Sequence, residues 1–167
     1  QRISHENLRL RDTGWLEGYE AWLAGGEPVP PMLLPYQLRQ TALKNRIVVS
    51  PMAQYCAVDG VPGDYHLVHL GARAMGGAGL VFAEMTCVSA EGRITPGCPG
   101  LYTDEQAHAF ARIADWIHAH TDAKFGIQIG HAGAKASTRV AWEGADQPLA
   151  AGNWPLISAS PQQYLSG

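Results

Sequence analysis

The feature that most limits what this chain can fold into is a recurring alternation of short apolar runs with helical patterns. The runs are Ile47-Val48-Val49, Leu80-Val81-Phe82-Ala83 and the segment holding Phe125, Ile127 and Ile129. Such runs suit strands covered on both faces, as in a parallel sheet. Between the first two, Asp64 can cap a helix carrying Leu67, Leu70, Ala74 and Met75, and Gly76-Gly77 can stop it. Between the second and third, Thr103 and Gln106 form a capping box ahead of Phe110, Ile113, Ala114 and Ile117. The order β-α-β-α-β predicts a parallel sheet with right-handed crossovers. The fold class is therefore α/β, with three successive β/α units on a parallel sheet.

Those units occupy residues 36–167 and open with a short hairpin, Tyr36–Leu38 and Thr41–Leu43. Residues 1–35 stand apart as an N-terminal helix and a proline-rich linker. Asp12-Thr13 can cap the helix, Trp15, Tyr19, Trp22 and Leu23 give it an apolar stripe, and Gly25-Gly26 ends it. Glu27-Pro28-Val29-Pro30-Pro31 is a stiff extended connector. This arrangement fits the join to a preceding domain, and equally a helix lying across the bottom of the barrel. Gln1 and the loop-like Leu165-Ser166-Gly167 read as cuts in a longer polypeptide, whose remainder would be a partner of this segment.

A length of 167 residues, 46% of them hydrophobic, supports one soluble globular domain. The net charge of −3 comes without a basic block, which argues against nucleic acid or an anionic membrane surface as partner. No apolar run approaches a membrane span and no signal peptide is recognisable, so a cytoplasmic location is expected. The three cysteines, Cys56, Cys87 and Cys98, contain no C-x-x-C pair, which argues against a disulfide framework or a zinc site.

Polar and glycine-rich residues follow each apolar run: Ser50-Pro51-Met52-Ala53-Gln54-Tyr55, then Glu84-Met85-Thr86, then Gln128, Gly130, His131, Gly133 and Lys135. In a parallel barrel these strand ends share one face, where active sites are built. Three other patterns are discounted. Gly130-His131-Ala132-Gly133-Ala134-Lys135 lacks the second glycine before lysine and the hydroxyl after it that a phosphate loop needs. Gly76-Gly77-Ala78-Gly79 precedes a strand instead of following one, so it reads as a helix stop. His66 and His69 are three apart on a helix but lack further ligands in sequence, and read as surface or core-edge histidines.

The segments KNRIVVSPMAQY, GAGLVFAEMTCVSAEGRITPGCPGLYTDE and FGIQIGHAGAKAS, in that order, resemble the old yellow enzyme family, in particular its bacterial branch of NADH:flavin oxidoreductases. The resemblance runs from about Leu38 onward. The leading RISHENLRLRD segment and the proline linker are similar to the join inside bifunctional flavin monooxygenase/reductases acting on aromatic acyl-CoA thioesters. The resemblance implies that the α/β units are the N-terminal part of a (β/α)8 TIM barrel, incomplete, with its first three β/α units. It also implies an FMN-dependent oxidoreductase that takes a hydride from NADH or NADPH and passes it to a small-molecule acceptor with an electron-poor alkene. A homo-oligomer is expected. By position, Ser50, Pro51, Met52 and Ala53 would line the flavin, with Met85 at a second contact and Gln128 at the pyrimidine edge. An amide suits that edge because it offers a donor and an acceptor together. Tyr55 matches a tyrosine that faces the substrate and could donate a hydrogen bond or a proton.

Two departures accompany the resemblance: Ala53 stands where many relatives have Cys or Thr, and the family's later site regions are absent. Met85 stands where relatives often have a smaller residue. The family's paired histidines (or His/Asn) follow its fourth strand, and its flavin-phosphate site lies near the seventh and eighth, beyond the three units read here. His131 and Lys135 could contact substrate or phosphate, or could only order their loop. Two other readings are a flavin-free phosphosugar-type barrel and a non-catalytic barrel fragment.

Overall fold

The computed structural model describes residues 4–26, 29–161 and 163–164. Gln1, the Glu27-Pro28 part of the connector and the Leu165-Ser166-Gly167 end lie outside the described residues. The chain forms two compact units, Gln1–Ile47 and Val48–Gly167.

In the first unit, helix α1 (His5–Arg11) precedes helix α2 (Thr13–Ala24), and Asp12 joins them. Asp12 ends α1 and caps α2, its carboxylate accepting the Trp15 N–H at 2.8 Å. Gly25 closes α2 in the left-handed conformation, with φ 62°. The aromatic stripe expected to face a core does not. Leu16 and Ala24 are buried, while Trp15, Tyr19 and Trp22 stack along the exposed side with centroids 5.2 and 5.8 Å apart. A 3-10 turn (Pro31–Leu33) leads to the expected antiparallel hairpin, β1 (Tyr36–Leu38) and β2 (Thr41–Leu43), which pairs Tyr36 with Leu43 and Leu38 with Thr41. Arg46 ties these pieces together. Its guanidinium donates to the Leu23 carbonyl and lies 5.8 Å from the Tyr36 ring centroid, and its backbone N–H donates to Met32.

The second unit holds a three-stranded parallel sheet in the order β3 (Val48–Val49), β4 (Leu80–Cys87), β5 (Lys124–Gly130). Helix α3 (Asp64–Met75) connects β3 to β4, and helix α4 (Asp104–His120) connects β4 to β5. The Thr103–Gln106 capping box is formed in both directions, at 3.3 and 3.2 Å. Leu70 and Ala74 of α3, Phe110, Ile113 and Ile117 of α4, and Val81 and Ala83 of β4 are buried. Full burial of each larger side chain among these contributes about 1.5–3 kcal/mol.

Three local expectations need correction. Asp64 is the first helical residue, not the cap; Gly63 is the cap, and Asp64 instead pairs with Arg112 at 2.8 Å. Strand β4 continues through Cys87, so Glu84-Met85-Thr86 lies within it and not after it. Only β4 is covered on both faces. Strands β3 and β5 are the sheet's edges, and Val48 and Ile129 are exposed. A continuous apolar run cannot distinguish a central strand from an edge whose neighbour lies elsewhere in a barrel.

Candidate functional site

The loops after the three strands are joined by hydrogen bonds at the C-terminal edge of the sheet. Ala57 N–H donates to Gly97 O at 3.0 Å, Val88 N–H to Gly130 O at 3.2 Å, Ala132 N–H to Gly92 O at 2.8 Å and Thr138 N–H to Ile94 O at 2.9 Å. Each loop is therefore fixed partly by its neighbour, which favours a defined site despite the lack of long regular elements.

Tyr55 sits in the first of these loops, half-buried, with its backbone in the left-handed region at φ 53°. For a bulky residue this conformation costs about 1–3 kcal/mol and persists only where the surroundings enforce it. On one side, Glu84 Oε2 accepts the N–H of Gln54 at 2.8 Å and of Tyr55 at 3.3 Å. Hydrogen bonds to a charged acceptor are worth about 1.5–3 kcal/mol each, enough to offset the conformational cost. On the other side lies Gly97, where a Cβ would stand 2.2 Å from the Tyr55 carbonyl oxygen. Only glycine permits that approach.

Glu84 reaches this position because of a β-bulge. The β4–β5 register shifts between Ala83 and Met85, so Glu84 has no partner on β5 and is buried, like Ala83 before it. The void it lines with Met52, Gln54 and His66 measures ≈ 10 Å³, at the limit for one water, so protein groups must satisfy the carboxylate. His66 is 3% exposed, which corrects the reading of a surface or core-edge histidine. Its Nδ1 accepts the Gly63 N–H at 3.1 Å, which places the proton of the neutral ring on Nε2. Nε2 lies 3.3 Å from Glu84 Oε1 but out of line for a hydrogen bond, so the attraction is electrostatic and that nitrogen is otherwise unpaired.

Burial pushes the pKa of the Tyr55 phenol above the ordinary tyrosine range, with Cys98 adding to the effect and Lys135 opposing it. The phenol stays protonated at neutral pH and can donate. Its ring lies 6.1 Å from that of Trp142, which is 67% exposed, at an interplanar angle of 59°. Trp142 belongs to helix α5 (Ala141–Gly144), on a segment pinned by Arg139 N–H to Gln147 O and Leu149 N–H to Ser137 O. Lys135 pairs with Asp146 at 2.9 Å, which raises the lysine pKa and lowers that of the aspartate. His131 Nδ1 accepts the Gly133 N–H at 3.0 Å. Both side chains are thus engaged in ordering their loop. His69, its pKa lowered by burial and then by Arg73, stacks on Tyr65.

The other expected residues fall as follows. Met85 and Gln128 are register partners on β4 and β5. Gln128 is exposed, and among the described residues nothing hydrogen-bonds its side-chain amide. Met85 lies across Gly130, where a Cβ would be 2.8 Å from its Cγ, so the glycine makes room for the long side chain. Ser50, Met52 and Ala53 are exposed and Pro51 half-buried, all in the loop that follows β3. Sequence reasoning assigned no role to Glu84, His66, Gly97 or Trp142. For Glu84 a signal existed, since a carboxylate inside an apolar strand requires a partner.

A parallel α/β sheet with loops clustered at its strand ends defines the architecture, and comparison with known proteins then defines the family. The NADH:flavin oxidoreductase / NADH oxidase family matches residues 31–165, and the chain belongs to it. An NADPH dehydrogenase of Listeria monocytogenes serotype 4a is 48% identical over 103 residues, covering 60% of this chain and 30% of that protein. An NADH:flavin oxidoreductase of Gibberella zeae is 40% identical over 129 residues, covering 76% of this chain and 31% of that protein. Morphinone reductase in complex with tetrahydroNAD matches with a TM-score of 0.59 and 29% identity, covering 64% of this chain and 28% of that one. The chain thus spans about 30% of the length of the curated relatives it matches. It supplies three parallel strands of an old yellow enzyme-type barrel, which they leave incomplete.

Proposed function

We propose that this chain supplies part of the flavin-facing and acceptor-facing surface of an FMN-dependent NAD(P)H oxidoreductase. The observation that carries the reading is the open Gln128 amide, paired in register with Met85, on a sheet whose first loop holds a protonated Tyr55. The donor set fits FMN chemically: an uncommitted amide suits the pyrimidine edge of the ring, and Met52 and Met85 suit its apolar face. When bound, FMN would accept a hydride from NADPH or NADH and deliver it to the acceptor.

In this reading Gln128 hydrogen-bonds the ring edge and favours negative charge there. Ser50, Pro51, Met52 and Ala53 line the ring from the first loop, and alanine at 53 brings no side-chain hydrogen bond to it. Tyr55 donates its phenolic proton, or a hydrogen bond, to the acceptor's carbonyl side. The acceptor class is an electron-poor alkene; an aromatic acyl-CoA-type acceptor rests only on the resemblance of the first forty residues. Family membership favours this over the flavin-free phosphosugar-barrel reading. Among the described residues no helix is long and apolar enough to cross a membrane, and no cluster of His, Cys, Asp and Glu could hold a metal ion.

The direct test is anaerobic spectroscopy of the purified enzyme that carries this chain. The flavin absorbance should bleach on addition of NADPH or NADH and return when an electron-poor alkene is added. A colourless protein, or one whose flavin ignores both nucleotides, would overturn the reading.

A further inference from the structure

Helix α3, strand β4 and the first loop meet at one buried carboxylate, and none of its contacts is explained by packing alone. Glu84 lies at the bulge of β4, and its partners are the Gln54 and Tyr55 amides and the His66 ring. Two successive amides converge on one oxygen because the left-handed turn at Tyr55 points both inward, forming a nest around an anion. The anion is supplied by the protein itself.

We propose that Glu84, backed by His66, is the positioning residue for Tyr55. The carboxylate locks the loop in its left-handed turn and so fixes where the phenol projects; the proposal rests on the reading of Tyr55 as the acceptor-facing donor. Residues 50–57 include no helix or strand, so nothing else of regular structure holds Tyr55. His66 contributes from behind. With Nδ1 committed to Gly63, its Nε2 lies 3.3 Å from Oε1 as an electrostatic neighbour without hydrogen-bond alignment, while Oε2 serves the loop. The Gln54 side chain is held as well, accepting from the Tyr65 hydroxyl at 2.9 Å and donating to Met52 O at 2.8 Å. A glutamine at 84 would keep the length but lose the charge that attracts His66, and its amide nitrogen, turned toward the nest, would set donor against donor. A carboxylate offers the nest an acceptor and the His66 side a negative charge together.

The test has two arms, both on the flavin-loaded enzyme. Residue-resolved amide hydrogen exchange of the unsubstituted protein should show Gln54 and Tyr55 exchanging at least about tenfold more slowly than Ala53 and Cys56, whose amides have no bond among the described residues. Glu84→Gln should bring all of them to a common rate. The same substitution should slow reoxidation of reduced flavin by the acceptor about tenfold. In a Tyr55→Phe background its added effect should fall below about twofold, because both changes act through one phenol. Gln54 and Tyr55 exchanging as fast as their neighbours would overturn the proposal, as would kinetic losses that simply multiply. Should Glu84→Gln not fold, the unsubstituted protein still decides the exchange arm, and Glu84→Asp, which keeps the charge but shortens its reach, replaces it in the kinetic arm. If Tyr55→Phe alone leaves reoxidation unchanged, the reading of Tyr55 fails while the exchange arm still judges the clamp.

Discussion

Replacing Gly97 with alanine should destabilise the enzyme and disturb its chemistry together, and the geometry sets the scale. The new Cβ would stand 2.2 Å from the Tyr55 carbonyl oxygen, 2.6 Å from its carbon and 3.0 Å from its Cα. Ordinary contact begins near 3.5 Å, so one backbone segment must retreat by about 1 Å. The obstacle is backbone that Glu84 already grips from the far side, not the end of a flexible side chain. Overpacking of this kind costs about 1–3 kcal/mol. The shift also strains the Ala57-to-Gly97 and Gly97-to-Thr95 hydrogen bonds, at about 0.5–1.5 kcal/mol each if lost. We expect a loss of about 2–4 kcal/mol in reversible urea unfolding, with slower flavin reoxidation by the acceptor. Gly18→Ala is the matched control. Gly18 lies within α2 with nothing inside 4 Å of its would-be Cβ, so alanine there should stabilise by about 0.5–1 kcal/mol. A Gly97→Ala enzyme as stable and as active as the parent would refute the claim that Tyr55 is clamped from both sides.

Three further outcomes are expected. Gln128→Leu should weaken FMN binding and lower the flavin potential, because a donor to the reduced ring disappears; titration of the apoenzyme and a spectroelectrochemical potential check this, and unchanged values would make Gln128 a packing residue. Burial raises the Tyr55 pKa, so the native state holds that proton more tightly than the unfolded chain; this stability contribution is present below the ordinary tyrosine range, near pH 10, and is lost as pH rises through the higher native value. The oxidative half-reaction should therefore show no loss assignable to Tyr55 between about pH 6 and 9, as a pH–rate profile would reveal. Among the thiols, exposed Cys56 should react first with a bulky reagent, and buried Cys87 and Cys98 only on unfolding, although a hydrogen bond from Cys87 brings the Cys98 thiol down to about 7; mass spectrometry of labelled peptides reads the order.

Where local chemistry and periodicity agree, the fold was legible in the residues. The Thr103–Gln106 box, the Gly25 and Gly76-Gly77 stops and the hairpin all follow from signals a few residues long. The exposed aromatic face of α2 was not legible, because Trp15, Tyr19 and Trp22 repeat at helical spacing whether they face a core or stack on one another. The site was half legible. Residues such as Gln128 and Tyr55 stand out by type and by place after an apolar run, but what holds Tyr55 comes from 29 positions away through a bulge. Strand β4 runs on through Cys87, and the one-residue slip between Ala83 and Met85 leaves Glu84 unpaired and buried within it; composition carries no trace of that slip.

The central claim is that this chain presents its acceptor-facing donor from the loop after the first barrel strand, and a stopped-flow comparison tests it most directly. Parent and Tyr55→Phe enzymes, both loaded with FMN, are first reduced anaerobically with NADPH and then mixed with an electron-poor alkene. Reduction should proceed at nearly equal rates in the two, whereas reoxidation should be about tenfold or more slower in the variant, since one acid or hydrogen bond to the acceptor has been removed. Identical traces in both half-reactions would contradict the account.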